Sequence, residues 1–277
     1  MKNFNYKKGL THAGVFHADD VFSSALLKLL NPEIQIKRVF KVEESLSSDT
    51  IVFDIGDGQY DHHQKDGETR KNGVKYAAFG LLWKEFGHLL VSQKNVQAFD
   101  ECFVQDIDDS DNGGRLNAMY STISSFIPNW DDENQNIDEA FLQAVNYAVS
   151  VLQLHIQRMQ ASERANELVQ EALEESDGHI VILERFCPWQ DVLIPSSAKF
   201  VIFPSLRGGY SAQAIPTSLG ARDQKIPFPK EWRGETKEIL EKFVPGMTFC
   251  HVGGFMISTD SFESAIMVCK KAMKKGE

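Results

Sequence analysis

The sequence predicts two α/β domains joined by a long helix, and three features carry that reading. Between Lys8 and Glu44 the pattern runs strand, turn, helix, strand, and the apolar run from Thr50 to Ile55 follows, as in a βαβ unit feeding a parallel sheet. From Ile137 to Ser176 the chain is almost free of helix breakers, whereas after Gly178 it turns to short β-type segments. These shifts divide the chain into residues 1–135, a connecting helix over 136–177, and a smaller α/β domain over 178–277.

Each element has a local reason. Asp19 or Asp20 caps a first helix whose apolar face is Val21, Phe22, Ala25, Leu26, Leu29 and Leu30. The run TIVFDI reads as a buried strand stopped by Gly56, Asp57 and Gly58. Helical spacing returns around Ala77 to Leu90 and from Asn95 towards Asp109, and the polar stretch Asn129 to Asn136 reads as a loop. The long helix places Phe141, Ala144, Val145, Ala148, Val151 and Leu152 on one face. Beyond it, HIVILE, KFVIFPS and YSAQAIP read as strands, the last two separated by a turn at Leu206 to Gly209. Phe249 to Phe255 reads as a strand broken by two glycines, and a helix from Ser261 to Lys275 closes the chain.

Composition narrows the function classes. The 42% hydrophobic and 25% charged content describes an ordinary globular chain with a sizeable core. A net charge of -10 works against wrapping a long polyanion, so a nucleic-acid partner would be short or locally gripped. Bound dications would offset part of that charge. No RNP-like aromatic stretch or basic stripe stands out in the sequence. Cys102, Cys187, Cys250 and Cys269 form no CxxC pair, which suits a reducing cytoplasm. No apolar run reaches the roughly 20 residues that span a bilayer, and the opening lacks the h-region of a signal peptide, so no membrane partner is expected. Oligomeric state is open, a homodimer being the association weighed.

Four segments hold the chemistry. THAGVFHADD sets His12, His17 and Asp19 at the end of the first strand and the start of a helix, where α/β folds collect ligands. Asp54 ends an apolar strand, where a carboxylate is costly unless hydrogen bonded or bound to a cation. Asp61, His62 and His63 follow on a loop; adjacent histidines face different ways, so one can ligate a metal while the other reaches substrate. QDIDDSDNGG sets Asp108 and Asp111 three residues apart on one face of a helix end, where acids oppose the dipole and a cation would relieve the conflict. Taken singly these segments have plain readings too: an exposed turn with a helix cap for the first, surface decoration for the His62–His63 pair, and a solvated acidic helix end for the last. Together they offer imidazoles and carboxylates suited to hard or borderline dications, Mn2+ first and Mg2+ next.

The order of these motifs, H-x4-H-x-D, the strand-ending Asp54, YDHHQ, FGLLWKEFG, D-x-x-D-N-G, IPFPKEWRG and HVGGF, resembles the Myg family (melanocyte proliferating gene proteins) of the DHH phosphoesterase superfamily. That family was formerly described as metal-dependent protein hydrolases. The likeness runs from about residue 10 to about residue 270. It implies an N-terminal DHH-type parallel-sheet domain, a C-terminal substrate domain with the active site between the two, and 3′ to 5′ exonuclease activity on short RNA or DNA. It further implies two divalent cations, one held by His12 and His17, the other by Asp19 and His62, with Asp54 bridging and Asp108 or Asp111 completing the second site. His63 with Asp61 would serve catalysis, His63 touching phosphate. In the C-terminal domain Arg207, Gly208, Gly209, Arg222, Arg233, His251, Gly253 and Gly254 are the expected substrate contacts, arginines neutralising phosphate and glycine amides approaching it. Ala13, Asp20 and Ser211 depart from the family's usual Asn, Glu and Arg, which bears on substrate orientation more than on metals. A pyrophosphatase-like or nucleotide phosphohydrolase, and a non-catalytic nucleotide-binding scaffold, are the alternatives.

Overall fold

The computed structural model describes residues 4–276. It divides into two compact units, Met1–Gln160 and Ala161–Glu277, and the division falls inside the long helix.

In the first unit β1 (Lys8–His12) lies between β2 (Gln35–Val39) and β3 (Thr50–Val52), all three parallel. Leu10 stands opposite both Lys37 and Val52, and His12 stands opposite Val39. The period of two along β1 buries Gly9 and Thr11 and leaves Lys8, Leu10 and His12 on the other face. Parallel pairing requires a crossover, supplied between β1 and β2 by α1 (Ala18–Leu30). Of the two expected caps it is Asp20 that closes the helix, its carboxylate accepting from the His17 amide at 3.0 Å. The apolar face of α1 is as expected, with Val21, Phe22, Ala25 and Leu26 fully buried and Leu29 and Leu30 half-buried.

Four further helices complete the unit: α2 (Ala78–Phe86), α3 (Gln93–Phe99), α4 (Gln105–Asp111) and α5 (Ala118–Ser124). The helical spacing from Asn95 to Asp109 is interrupted at Asp100–Val104 by a wide π turn. There Phe103 stacks on Phe99 at 4.9 Å and meets Phe22 edge-on at 5.4 Å, so aromatic packing compensates the irregular backbone. The long helix α6 (Ile137–Glu174) begins in this unit and buries Phe141, Ala144, Val145, Ala148 and Leu152 in its core.

The second unit holds a five-stranded mixed sheet of β4 (Ile180–Ile182), β5 (Phe200–Pro204), β6 (Tyr210–Ala214), β7 (Met247–Cys250) and β8 (Met256–Thr259). The strand order is β4-β5-β6-β8-β7, with β4 parallel to β5 and the other pairs antiparallel. The stretch from Phe249 to Phe255, which reads as one broken strand, is instead the last two residues of β7 followed by the turn of the β7–β8 hairpin. Gly254, at φ +68, adopts the left-handed conformation that reverses the chain. Alternate residues of β4 and β5 enter two cores. Ile180, Phe200 and Ile202 pack with α8 (Lys237–Phe243) and α9 (Phe262–Gly276), whereas Val181 and Val201 join Val169 of α6 and Leu193 of the one-turn α7 (Gln190–Leu193). Among the described residues no helix is long and apolar enough to cross a membrane. All four cysteines are free.

The β5–β6 turn gives a direct test of backbone geometry. Gly208 (φ +90) has open space where a side chain would start, but a Cβ at Gly209 (φ +65) would stand 2.0 Å from the Thr259 carbonyl oxygen. Gly208→Ala should therefore cost about 1 kcal/mol of strain and Gly209→Ala at least about 2 kcal/mol, measured by denaturant unfolding. Equal losses would contradict this account of the turn.

Candidate metal centre

The site forms at the carboxyl ends of β1 and β3 and the amino end of α1. β1 delivers His12, the following loop and first helical turn deliver His17, Asp19 and Asp20, and the residue pair after β3 delivers Asp54. Asp54 is held at φ +56, a conformation that costs a non-glycine residue about 1 kcal/mol or more. Its amide donates to the Tyr60 carbonyl at 2.9 Å, which ties the end of β3 to the loop carrying Asp61, His62 and His63. Asp61 organises that loop by accepting from the amides of Asp57 (2.8 Å) and His63 (3.1 Å), and it pairs with the His63 ring nitrogen Nδ1 at 2.8 Å. Burial pushes the Asp61 carboxyl up, but the His63 ring and these amides outweigh it and hold the group below its usual range.

Three sets of ligand-type atoms converge, the atoms of each set lying within 4.8 Å of one another: His12 with Asp20 and Asp54; His17 with Asp19 and Asp111; and Asp54 with Asp61, His62 and His63. His12 Nε2 is 3.3 Å from Asp20 and 3.2 Å from Asp54. His62 touches three carboxylates, Nδ1 lying 3.3 Å from Asp54 and 3.8 Å from Asp19 while Nε2 lies 2.9 Å from Asp111. His17 Nδ1 is 3.9 Å from Asp111. Asp54 belongs to two sets, the arrangement a bridging carboxylate requires. His12 and His17 approach with ring centroids 5.6 Å apart, yet their convergent partners differ.

The electrostatics are those of crowded anions. Asp19, Asp20 and Asp54 are buried, and both oxygens of Asp19, Oδ2 of Asp20 and Oδ1 of Asp54 have no hydrogen-bond partner. Burial, then repulsion from Asp54 and Asp111, holds Asp19 well above the usual carboxylate range. Burial raises Asp20 to about 8 despite the opposing pull of His12. The hydrogen bond to Asp54 raises His12 to about 9 against desolvation. Desolvation lowers His62, but Asp111 and Asp54 outweigh it and raise it overall. Orphaned carboxylate oxygens beside imidazoles fit divalent cations, and two distinct clusters could each coordinate one.

Within D-x-x-D-N-G the two acids part company. Asp111 faces His62, whereas buried Asp108 accepts from the Gly80 amide at 3.0 Å and from Arg70 at 2.8 Å, outside the convergent sets. Arg70 also grips Asp100 through two nitrogens, at 2.9 and 2.6 Å, and lies 3.7 Å over the Tyr76 ring. Asn112 donates to the Tyr76 carbonyl at 3.2 Å, which anchors the end of α4. A Cβ at Gly80 would fall 1.8 Å from Asp108, so glycine is required for this close approach. Arg70 and Gly80 are not singled out by the sequence, and Asp20 enters there as a cap and as a departure from the family's usual Glu, not as a ligand. Its adjacency to Asp19 and the acid that the resembled family carries at this position were the available hints.

In the second unit the expected substrate residues separate by their partners. Arg233 donates through Nε and Nη2 to the Phe228 carbonyl, at 2.9 and 2.7 Å, and packs against Gly254. His251 accepts from the Gly253 amide at 2.9 Å and lies 4.2 Å from the Phe255 ring. Gly208 and Gly209 form the β5–β6 turn, with Arg207 exposed beside them. Arg222 and Gly253 line a cavity of about 570 Å³ together with Trp189, Gln213 and Phe255.

Comparison with known proteins agrees with these motifs. A family described as an uncharacterised protein family (UPF0160) matches residues 9–273. The chain is 26% identical to the MYG1 protein of Dictyostelium discoideum, over 96% of this chain and 96% of that protein. It is 27% identical to the MYG1 exonuclease of Homo sapiens and 28% identical to that of Mus musculus, over 95% of this chain in each case and over 85% and 84% of those proteins. No solved structure gives a significant match.

Two predictions follow from the site's charge. In chelator, Asp20 (about 8), Asp108 (about 7), Asp19 and His12 (about 9) keep protons in the folded state that the unfolded chain releases at lower pH. Metal-free stability should therefore fall as pH rises from about 4 to about 9. Asp61 and Asp111, whose carboxyls are depressed, act with the opposite sign, but only below about pH 4. Excess MnCl2 should flatten or reverse the slope in denaturant melts at pH 5, 7 and 9, and parallel curves with and without Mn2+ would contradict the reading. Separately, Arg70→Leu should cost about 3–5 kcal/mol by stranding buried Asp108, and Arg70→Leu/Asp108→Leu should recover much of it, measured by the same melts.

Proposed function

We propose that this chain, which belongs to the uncharacterised protein family UPF0160, is a divalent-metal-dependent phosphoesterase of DHH type that trims short RNA or DNA from the 3′ end. The observation that carries the reading is the convergence of buried, unpartnered carboxylate oxygens with imidazoles at the strand ends, in three neighbouring sets of which two share Asp54. The exonuclease name borne by the human and mouse relatives supports the choice of substrate.

In this reading His12, Asp20 and Asp54 hold one Mn2+ and His17, Asp19 and Asp111 hold a second, with His62 beside both; Mg2+ is the alternative ion. When bound, such a pair supplies an acidified water and positive charge against the phosphoryl oxygens. Asp108 supports the site from behind through Arg70 and Gly80. Asp61 holds the ring of His63 through Nδ1, so the 60% exposed imidazole keeps Nε2 to donate to a phosphate oxygen when protonated. In the second unit Arg222 and Gly253, which line one cavity, are the substrate contacts best supported, because His251, Arg233, Gly208 and Gly209 already serve their own loops.

The test is release of nucleotides from a 5′-labelled oligonucleotide in MnCl2, run beside pyrophosphate. The 3′ end should shorten stepwise, and chelator should abolish the reaction. Asp54→Asn should lower kcat by more than about 100-fold and His63→Ala by about 100-fold. Undiminished turnover in chelator or in Asp54→Asn, or release from pyrophosphate alone, would overturn the proposal.

A further inference from the structure

The face of the β2-β1-β3 sheet that carries Lys8, Leu10 and His12 is open to solvent and holds a cavity of about 440 Å³. Its walls bring together Lys8 of β1, Lys37 of β2 and Lys41 just beyond β2, residues scattered over the first 41 positions, together with Leu10, Val39 and Leu46. Glu43 is the one carboxylate in the wall, and Asp49 lies within electrostatic reach of Lys8, in a chain of net charge -10. None of the three lysines forms an ion pair among the described residues. Phe40, between Val39 and Lys41 in sequence but not itself a wall of the cavity, is 87% exposed, an unusual placement for a phenyl ring.

The groove and the opening over the metal centre share no lining residue, but β1 runs from one to the other. Lys8, Leu10 and His12 alternate onto the same face, so Lys8 lies roughly 13 Å along β1 from His12, at about 3.3 Å per residue. His12 in turn lines the opening over the metal centre with His17, Asp54 and His63. Parallel sheets ordinarily bury both faces, so an open face with a basic floor calls for an occupant. A second copy of the chain suits it poorly, because a two-fold interface would set the lysines against their own counterparts. A polyanion suits it by charge, and an exposed aromatic ring beside a basic groove is the combination that grips single strands.

We propose that this groove is a binding track for single-stranded nucleic acid, holding the phosphates of the strand that trails from the metal centre, with Phe40 stacking on a base. The inference rests on the phosphoesterase reading and accounts for how an acidic protein grips its polymer locally. It also makes length discrimination a property of the N-terminal unit.

The test compares wild type with Lys8→Glu/Lys37→Glu/Lys41→Glu and with Phe40→Ala, all exposed positions outside the metal centre. Binding of a fluorescent 15-nucleotide single-stranded RNA is read by anisotropy in chelator across a salt series. Hydrolysis of a dinucleotide in MnCl2 is read alongside. The triple variant should bind the 15-mer at least about tenfold more weakly, and its log-log salt slope should be shallower by about 2, near 0.7 per lost phosphate contact. Phe40→Ala should weaken binding about fivefold or more. Dinucleotide turnover should be unchanged in both. Binding of the 15-mer with wild-type affinity and slope would overturn the track, as would a wild type that does not bind it at all, or a mass change marking the face as a self-association surface. Loss of hydrolysis in wild type, with binding still dependent on the lysines, would instead overturn the phosphoesterase reading and leave the track standing.

Discussion

Four aspartates, Asp19, Asp20, Asp54 and Asp111, are folded against one another at the ends of two parallel strands, and the cost of that crowding governs the rest of the first unit. Desolvated like charges repel strongly at such separations, and here several of their oxygens lack a hydrogen-bond donor. The imidazoles of His12 and His62 relieve part of this, and the carboxylates beside them are what raises both rings against desolvation. What they leave unbalanced is what a pair of dications would neutralise.

The scaffold is arranged to keep the cluster from relaxing. Asp54 sits in a left-handed backbone conformation at the end of β3, and the Tyr60 carbonyl secures it there. Asp20 cannot swing away because it also caps α1 through the His17 amide. Asp111 is fixed through its helix: Asp108, one turn earlier, is buried against Arg70 and the Gly80 amide, so α4 is pinned three residues from the carboxylate that faces His62. One ion pair that touches no candidate ligand thus sets the position of one that does. Burying Arg70 and Asp108 is costly in itself, but their geometry satisfies both partners and fixes a single orientation of the helix.

Much of this was legible in the sequence, for physical reasons that differ between elements. The βαβ start and the long helix were readable because apolar residues at strand and helix spacing leave a direct trace in one dimension. The strand-ending Asp54 was readable because a carboxylate after TIVF has no cheap apolar environment. By contrast, the end of β7 and the turn after it read as one broken strand, since a two-glycine interruption looks the same whether the chain bulges or turns back. Arg70 had no local signature, its role being created by contacts thirty and thirty-eight residues away. The lysines of the sheet face were equally hidden, because only the register of β1 with β2 brings Lys8 and Lys37 onto one surface.

The central claim is that these side chains form a paired cation site, one ion at His12, Asp20 and Asp54 and its neighbour at His17, Asp19 and Asp111. Electron paramagnetic resonance of the protein titrated with Mn2+ tests it most directly. The account predicts two ions per chain and the broadened, exchange-coupled spectrum of neighbouring Mn2+ ions, lost in Asp54→Asn. A single isolated-ion spectrum at saturation, or no tight binding, would contradict it.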